Sequence, residues 1–394
     1  MTGMIDYIRA TIESRIRIDR NELSGAFGDI GTDLPLIIGL LIVSGLNPVN
    51  VFLLFGLSQI FSGLVYGLPM PVQPLKAVAI IAISQNLGSD MILAAGISLG
   101  IVMLILNKAG LIKYVFDLIP ECVIRGIQFG LGINLIFLAL LKYIPSQGLN
   151  GIVLAVVGLS AVCLLLGNRR FPPALVVILL GILYSLVFNA DSKPVLAGFH
   201  FPSPDIYVPS LNEMITAFLV LGLPQLPLSL SNSLIATKKL SDDLFPEKKL
   251  TISRLANTYS IMNIAAPALG GIPMCHGSGG LSGHHAFGGR TGGSLVIYGA
   301  IFLALGIFFA GDLGSIQTLF PLPVLGVILT VEGFTLSRLI KKTSGSKELL
   351  IAFLVGSICV TVKGGYAYAL LAGTLIYYLE FYISRRSFPT NNDN

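Results

Sequence analysis

Two Pro- and Gly-rich stretches interrupt long apolar segments, and both carry residues that could bind an anion. Residues 69–76 read PMPVQPLK, and residues 269–290 read LGGIPMCHGSGGLSGHHAFGGR. A proline fits the first turn of a helix better than its interior, so each stretch predicts an extended segment leading into a short helix. The free N–H groups and positive dipole of such a helix start favour a negatively charged ligand. The residues expected at the two starts are Val72, Gln73, Pro74, Met274, Cys275, His276, Gly277 and Ser278.

A single lysine stands in the first turn of the first predicted short helix. Lys76 lies in an apolar run, and a charge at membrane depth has a high free energy unless it is paired or hydrated. A lysine that faced the site would add positive charge to an anion pocket. The alternative is that Lys76 pairs with a nearby acid or snorkels towards the membrane surface.

Three carboxylates inside apolar segments could take up and release a proton. Asp29 and Asp33 lie four residues apart and therefore on one face of a predicted helix. They could share a proton, pair with Lys76 or bind a coupling cation, and a structural ion pair is the alternative. Glu332 and Arg125 lie in two other apolar segments, where each is a proton relay, a gate or half of a structural salt bridge.

Uncharged hydrogen-bonding groups accompany these charges. The first apolar segment carries Thr32, and the related segment of the second half carries Gln225, Ser229 and Asn232. We predict that Thr32, Gln225 and Ser229 contribute to the same anion site. The glycines of the second stretch have an alternative explanation, since small residues also let membrane helices pack closely.

The histidines and cysteines do not predict a metal site. Cys275, His276, His284 and His285 lack the spacing of a four-ligand zinc site. We expect His284 and His285 to be polar residues near a membrane interface. No cofactor is predicted, and the sequence contains neither a P-loop nor a G-x-S-x-G nucleophile turn.

The composition indicates a membrane-spanning scaffold that positions these residues. The 394 residues are 54% hydrophobic and 11% charged, with a mean hydropathy of +0.83, whereas soluble domains contain about 25% charged residues. Continuously apolar runs predict helices and exclude the alternating pattern of a membrane barrel. The net charge of +5 does not predict nucleic-acid binding, because Lys and Arg of membrane proteins are concentrated in the cytoplasmic loops. The four scattered cysteines predict no disulfide framework.

The apolar runs predict an all-α polytopic membrane protein with two sets of seven segments. The first set lies within residues 21–189 and the second within 211–383, joined by a polar connector at 190–210. An interfacial helix is predicted within residues 1–20, and a short cytoplasmic tail follows at 384–394. The expected segments are 23–45, 51–68, 70–86, 91–107, 123–141, 150–167, 173–189, 211–236, 252–269, 273–288, 293–311, 320–338, 348–362 and 365–383.

The distribution of positive charge tests this number of segments. With the N-terminus inside, 20 of the 25 Lys and Arg residues would be cytoplasmic, and only Lys142, Lys193 and Lys363 would lie in external loops. Adding or losing one early segment would remove this asymmetry. The rule therefore favours fourteen segments with both termini in the cytoplasm.

The two sets resemble each other, and an odd number of segments places them in opposite orientations. Residues 67–71 open the third segment of the first set much as residues 271–274 open the third segment of the second. Residues 120–132 and 321–333 form a further pair at the fifth segments. Inverted repeats with a Gly/Pro-interrupted segment in each half are typical of transporters and point to the binding site.

Three motifs resemble one known family. PMPVQPLKAVA at 69–79, GGIPMCHGSGGLSGHHAFGGRTGG at 270–293 and NELSGAFGDIGTDLPL at 21–36 are similar to sequences of the molybdate transporter family, a branch of the sulfate permease superfamily. The likeness extends over nearly the whole chain. It implies a seven-plus-seven inverted-repeat fold, with the substrate between half-helices in the third and tenth segments. The typical cytoplasmic regulatory domain of sulfate permeases is expected to be missing, which favours the molybdate branch.

The resemblance implies a secondary transporter of a tetrahedral oxyanion in the plasma membrane, with molybdate as the first candidate and sulfate as the second. Residues 71–74 and 274–278 would face the substrate, and proton coupling through Asp29, Asp33 or Glu332 is a hypothesis from their position. The alternatives are a benzoate- or nucleobase-type carrier on the same fold and, from a different class, an anion channel. The expected partners are the oxyanion, protons and the lipid bilayer. No nucleic acid is expected, and a homodimer stays an open alternative.

Overall fold

The computed structural model describes residues 15–165, 173–188, 206–309 and 320–387. Within these ranges the chain is an all-helical membrane protein, apart from one pair of two-residue strands. The predicted interfacial helix lies almost wholly outside the described residues, and residues 16–18 at its end are not helical. Most of the connector and the end of the tail, residues 388–394, also lie outside them.

The first half of the chain contributes apolar helices and one short strand. A π-helical turn, Ala139–Tyr143, and a 3-10 turn, Ile144–Gln147, join its seventh and eighth helices. A helix satisfies every backbone N–H and C=O inside its own segment, which is what the bilayer requires. In chain order the elements are α1 (Arg20–Ala26), α2 (Ile30–Ser44), α3 (Pro48–Tyr66), β1 (Gln73–Pro74), α4 (Lys76–Gln85), α5 (Ser89–Lys108), α6 (Ile112–Leu118), α7 (Glu121–Leu138), α8 (Gly148–Leu165) and α9 (Pro173–Phe188).

The second half repeats this pattern of long helices around a short strand. Its elements are α10 (Leu211–Ala217), α11 (Leu223–Leu228), α12 (Thr237–Leu244), α13 (Ile252–Ala268), β2 (Met274–Cys275), α14 (Ser278–Ala286), α15 (Gly293–Phe309), α16 (Leu322–Arg338), α17 (Ser346–Thr361) and α18 (Gly365–Ser387). The π-helical turns Phe218–Gly222 and Ser229–Ala236 join α10, α11 and α12 into one run. This run continues to Leu244, beyond the predicted end at residue 236.

Several helical runs of the described chain can cross a bilayer. Glu121–Leu165 spans 45 residues and contains the predicted segment 123–141 and the described part of 150–167. Large apolar side chains such as Leu149, Leu164 and Leu371 point outward from α8 and α18, as a lipid-facing surface requires. The described runs that are long and apolar enough to cross a membrane are Pro48–Tyr66, Ser89–Lys108, Glu121–Leu165, Leu211–Leu244 and Leu322–Lys342. The bent pair of α1 and α2 meets the same criteria when the two helices are taken together.

The first predicted segment is not one continuous helix. Asp19 caps α1 by accepting hydrogen bonds from the N–H groups of Asn21 at 2.8 Å and Glu22 at 3.0 Å. The chain turns at residues 27–29, and α2 then runs at 41° to α1. Asp29 is therefore the residue before α2, and Asp33 lies in its first turn. The predicted segment 23–45 is therefore broken before α2, but Asp33 still follows Asp29 by one helical turn, and its N–H donates to the Asp29 carbonyl oxygen at 3.1 Å.

Two extended segments meet inside the molecule, one before α4 and one before α14. Gln73 pairs with Cys275, and Pro74 pairs with Met274, in an antiparallel register. All four residues are buried. Both stretches therefore form an extended segment followed by a short helix, as predicted. The first of these helices begins at Lys76, two residues later than the predicted start at residues 72–74, because its three prolines keep the preceding chain extended.

Glycines let the helices around this strand pair approach closely. A Cβ atom at Gly56 of α3 would lie 2.7 Å from the carbonyl oxygen of Gly299 in α15. A Cβ atom at Gly132 of α7 would lie 2.4 Å from the carbonyl oxygen of Gly333 in α16. Small residues at such crossings bring membrane helices together through van der Waals contact. The scaffold is therefore tightly packed on both sides of the extended segments.

Candidate functional site

Each extended segment is held by one buried amide side chain. Gln59 of α3 donates to the carbonyl oxygen of Val72 at 2.6 Å and accepts from the Val72 N–H at 3.1 Å. Asn263 of α13 donates to the carbonyl oxygen of Met274 at 2.5 Å and accepts from the Met274 N–H at 2.9 Å. Both amides are fully buried. These bonds satisfy backbone groups that no helix satisfies, so Val72 and Met274 are fixed parts of the site wall.

His276 joins the two extended segments to α13. Its Nδ1 lies 2.9 Å from the carbonyl oxygen of Pro71, and its Nε2 lies 2.7 Å from the hydroxyl of Thr258. A carbonyl only accepts, so Nδ1 carries the proton and Nε2 accepts from Thr258. The ring is fully buried, with both nitrogens occupied. In this conformation His276 positions the segments, and both of its ring nitrogens are engaged by protein groups.

Gln225 caps the start of α4. Its Oε1 accepts from the N–H groups of Ala77 at 2.8 Å and Val78 at 3.4 Å. Its Nε2 donates to the hydroxyl of Ser229, which lies 2.9 Å from the hydroxyl of Tyr259. Both Gln225 and Ser229 are buried beside a π-helical turn, a feature that is frequent at functional sites. Two N–H groups that we expected to be free for a ligand are therefore taken by Gln225.

The start of α14 packs against the first half of the chain through two glycines and is open at a third. A Cβ atom at Gly277 would lie 1.9 Å from Oε1 of Gln73, and one at Gly280 would lie 2.1 Å from Oδ2 of Asp29. At Gly279 the same position has no neighbouring atom within 4 Å, and the residue is exposed. Hence the first turn of α14 is close to Gln73 and Asp29 on one side and borders open space on the other.

Ser278 and Thr32 lie in the first turns of α14 and α2. Ser278 is half-buried, and its hydroxyl donates to Oδ1 of Asn232 at 2.6 Å. Its preceding residue, Gly277, offers no side chain to cap α14. Thr32 is half-buried in the first turn of α2. The N-terminal dipole of α14 is thus not neutralised by a capping side chain.

Lys76 forms an ion pair with Glu332 of α16. The two side chains are 23% and 15% exposed, so the pair lies at the edge of the packed interior. The interpretation that Lys76 pairs with an acid is therefore confirmed, and Glu332 is half of a salt bridge in this conformation. A partly hydrated ion pair loses less solvation free energy than a fully buried one. Either partner can therefore leave the other for a different charged group at a smaller cost in free energy.

The two aspartates near the start of α2 have separate partners. Gln73 donates from Nε2 to Oδ2 of Asp29 at 2.6 Å, and the hydroxyl of Tyr298 donates to Oδ2 of Asp33 at 3.0 Å. The other oxygen of Asp33 is buried and has no hydrogen-bond partner among the described residues. Neither aspartate forms an ion pair with Lys76 in the described part of the chain. Both carboxyls nevertheless lie within one buried polar cluster.

His284 is buried inside the protein in the last turn of α14, where we expected a polar residue near a membrane interface. Its side chain is fully buried, and Nδ1 donates to the carbonyl oxygen of Gly25 at 2.7 Å. Its ring meets the ring of Tyr298 edge-on at 5.6 Å. The neighbouring His285 is half-buried against Phe245. The Gly25 carbonyl also accepts from the Gly28 N–H at 3.0 Å, so His284 adds a second hydrogen bond where the chain turns after α1.

A cavity of about 790 Å³ opens beside the helical run that carries Asn232. Its lining includes Glu121, Arg125, Ser231 and Lys239. Arg125 pairs with Glu121 one helical turn away at 2.7 Å, so Arg125 is part of a structural salt bridge. The cavity therefore combines charged side chains with apolar ones such as Phe116 and Ile235.

Four residues that hold the site were missed in the sequence. They are polar side chains in apolar helices: Gln59, Thr258, Asn263 and Tyr298. A polar residue in such a helix signals a partner inside the protein, but the sequence does not name that partner. Among the residues that the structure describes, no group of three His, Cys, Asp or Glu side chains is placed to hold a metal ion.

Comparison with known proteins identifies relatives over most of the chain. A family model described as "Molybdate transporter of MFS superfamily" matches residues 21–135 and 217–336. Molybdate transporter 1 of Arabidopsis thaliana is 32% identical, over 95% of this chain and 91% of its own length. Molybdate transporter 2 of the same plant is 31% identical, over 86% of this chain and 83% of its own length.

The fold is also found in a solved structure. The transmembrane domain of the bicarbonate transporter BicA from a cyanobacterium superposes with a TM-score of 0.66 at 18% identity. The match covers 90% of this chain and 98% of that domain. This superposition shows similarity of the fold alone. The family follows from the sequence relatives. The chain belongs to the molybdate transporter family, and it is a multi-pass membrane protein of a transporter family rather than an enzyme.

Proposed function

We propose that this protein is a secondary active transporter that carries molybdate across the plasma membrane. The observation that carries the proposal is the antiparallel pairing of Gln73–Pro74 with Met274–Cys275, which joins the segments leading into two short helices and places the helix starts at opposite ends of the pair. Helix starts favour anions because their N–H groups and dipoles are positive. The names of the two Arabidopsis relatives support molybdate as the anion.

We place the dianion at the open side of the α14 start. Gly279 borders open space there, and the hydroxyl of Ser278 is within the same turn. Lys76, which is partly exposed, supplies positive charge from the opposite element. The start of α4 contributes less than the sequence predicted, because Gln225 already accepts from two of its N–H groups.

We propose proton coupling through Glu332, with Asp29 and Asp33 as further candidates. An arriving dianion competes with Glu332 for Lys76, so Glu332 is released for another positive partner, for which we propose the coupled proton. The test is uptake into proteoliposomes under an imposed pH gradient. Full pH-driven uptake by both Asp29→Asn and Glu332→Gln variants would end this proposal.

We further propose that the fold is a seven-plus-seven inverted repeat with both termini in the cytoplasm. The matched amide clamps support it, since Gln59 and Asn263 lie on helices that precede the two extended segments and bind them in the same way. α4 and α14 would be the half-helices of the third and tenth segments. The excess of Lys and Arg on one side supports the orientation.

Uptake of radioactive molybdate into proteoliposomes tests the function. We expect saturable uptake that unlabelled molybdate abolishes and sulfate weakens, with no effect of benzoate or uracil. Stronger competition by sulfate than by molybdate would reassign the substrate to sulfate. Competition by benzoate or uracil would favour the carriers of those compounds, and currents far above carrier rates without accumulation would favour a channel.

A further inference from the structure

A small basic pocket lies where α3 ends and α13 begins, apart from the proposed substrate position. Its volume is about 190 Å³, and its charged lining residues are Arg15, Glu247, Lys248, Lys249 and Arg254. Four positive groups and one negative group therefore converge from three separate segments of the chain. A concave surface with such an excess of one charge concentrates the electrostatic potential and attracts an ion of opposite sign.

The two arginines of this pocket are oriented by the end of α3. Arg15 donates to the carbonyl oxygen of Leu64 at 3.1 Å, and Arg254 donates to that of Val65 at 2.7 Å. Arg254 also lies over the ring of Tyr66, 5.2 Å from its centre. The last carbonyls of a helix are partially negative, so these contacts hold the guanidinium groups in place. Each guanidinium retains further N–H donors for a ligand.

The two lysines keep their charges available. Within the described ranges of the chain, neither Lys248 nor Lys249 takes part in a salt bridge or a side-chain hydrogen bond. They belong to the short loop between α12 and α13, two helices that end at the same surface as α3. At the boundary of a bilayer, lysines and arginines in a pocket between helices bind acidic headgroups.

We propose that this pocket binds the phosphate group of a net anionic ligand. Guanidinium groups offer paired donors that match two phosphate oxygens, and ammonium groups add point charges. A headgroup of an anionic phospholipid and a soluble phosphate share this chemistry, and the experiment below separates them. A zwitterionic headgroup fits less well, since its own positive charge would lie among the four cations.

The pocket is next to the hydrogen bonds that hold the substrate site. The ring of Tyr66 forms its wall, and the Tyr66 hydroxyl lies 2.5 Å from the hydroxyl of Thr258. Thr258 in turn holds His276, which binds the carbonyl of Pro71. A bound phosphate would therefore lie one side chain away from the network that positions both extended segments.

Thermal unfolding of the full chain in dodecyl maltoside measures binding, because a ligand of the native state raises the melting temperature. The probes are dihexanoyl-phosphatidylglycerol, dihexanoyl-phosphatidylcholine and inorganic phosphate, all added at saturating molybdate so that the transport site is occupied. We expect phosphatidylglycerol to raise the melting temperature with at least fivefold higher apparent affinity than phosphatidylcholine. Stabilisation by phosphatidylglycerol without an effect of inorganic phosphate assigns the site to lipid. The reverse pattern assigns it to a soluble phosphate.

Two double variants decide whether the effect belongs to this pocket. Lys248→Gln with Lys249→Gln should weaken the apparent affinity at least tenfold. Lys341→Gln with Lys342→Gln, which removes two exposed charges outside the pocket, should leave it unchanged. The conservative Arg254→Lys variant keeps the charge but loses the planar fork and should weaken binding by an intermediate factor. Equal stabilisation by both lipids, or equal weakening by both double variants, would overturn the proposal.

Discussion

At the scale of single residues, the site is defined by which polar groups are already occupied. Gln225 takes N–H groups of α4, and His276 has partners at both ring nitrogens. Lys76, Ser278 and Gly279 remain at the edge of open space. Residue type alone suggested that His276 binds the anion. Its contacts show that it holds Pro71 and Thr258 in this conformation.

Replacing Lys76 by methionine should weaken molybdate binding. The variant keeps most of the side-chain volume but removes the positive charge, so we expect the KM of uptake to rise at least tenfold, equivalent to about 1.4 kcal/mol. Initial rates in proteoliposomes measure this effect. The control is Lys341→Met, which removes an exposed charge elsewhere. An unchanged KM in Lys76→Met would place the lysine outside the binding site.

Two neighbouring glycines of α14 should respond differently to the same substitution. Gly280→Ala places a methyl group 2.1 Å from the Asp29 carboxylate, so we expect a lower melting temperature and loss of uptake. Gly279→Ala meets no atom within 4 Å and should keep the wild-type melting temperature. Circular dichroism and uptake assays measure both properties. Equal melting temperatures for the two variants would mean that α14 does not pack on Asp29 as described.

At the scale of secondary structure, the extended segments depend on the helices that precede them. α3 and α13 each carry one buried amide that makes two hydrogen bonds to the extended backbone. A strand pair of only two residues would not be stable alone, because it forms few backbone bonds. The clamps and the strand pairing together hold two helix starts at fixed positions.

Removing an amide clamp should destabilise the protein. Asn263→Ala leaves the N–H and C=O of Met274 buried without their partner, and each unpaired group costs about 1–3 kcal/mol. We expect a clear fall in the midpoint of thermal unfolding and the same result for Gln59→Ala. The matched control is Gln147→Ala, since Gln147 is exposed. A fall no larger than that of the control would mean that other groups, such as water, satisfy the backbone.

At the scale of the whole molecule, charge and hydrophobicity determine how the helices lie in the bilayer. Large apolar side chains cover the outward faces, while polar groups gather around the strand pair and along the cavity near Asn232. The proposed orientation places the cavity and the basic pocket on the cytoplasmic side.

Labelling of single cysteines should reveal the proposed orientation. In a Cys163→Ser background, which removes the one exposed cysteine found in the described part of the chain, Lys142→Cys should react with a membrane-impermeant maleimide on intact cells. Lys341→Cys should react only after the membrane is made permeable. The physical reason is that Lys and Arg are retained on the cytoplasmic side. The opposite pattern of labelling would reverse the proposed topology.

Several features could be predicted from the sequence because they depend on local chemistry. Continuous hydrophobicity requires membrane helices, since a bilayer offers no partner for an open backbone. The prolines of residues 69–74 and 273 stop a helix and start a short one, so the extended segments and α4 and α14 were expected. Charge at membrane depth singled out Lys76 and Glu332, although not their pairing with each other.

Other features depend on contacts between residues far apart in the chain, which only the tertiary structure decides. Gln73 meets Asp29 and Cys275, and Lys76 meets Glu332, because helices from both halves pack around the strand pair. The burial of His284 was not expected from the sequence, since it depends on contact with the carbonyl of Gly25, far away in the chain. Sequence therefore determined where the backbone departs from a helix and which charges need partners. Packing determined the partners, because a hydrogen bond depends on distance in space rather than on separation along the chain.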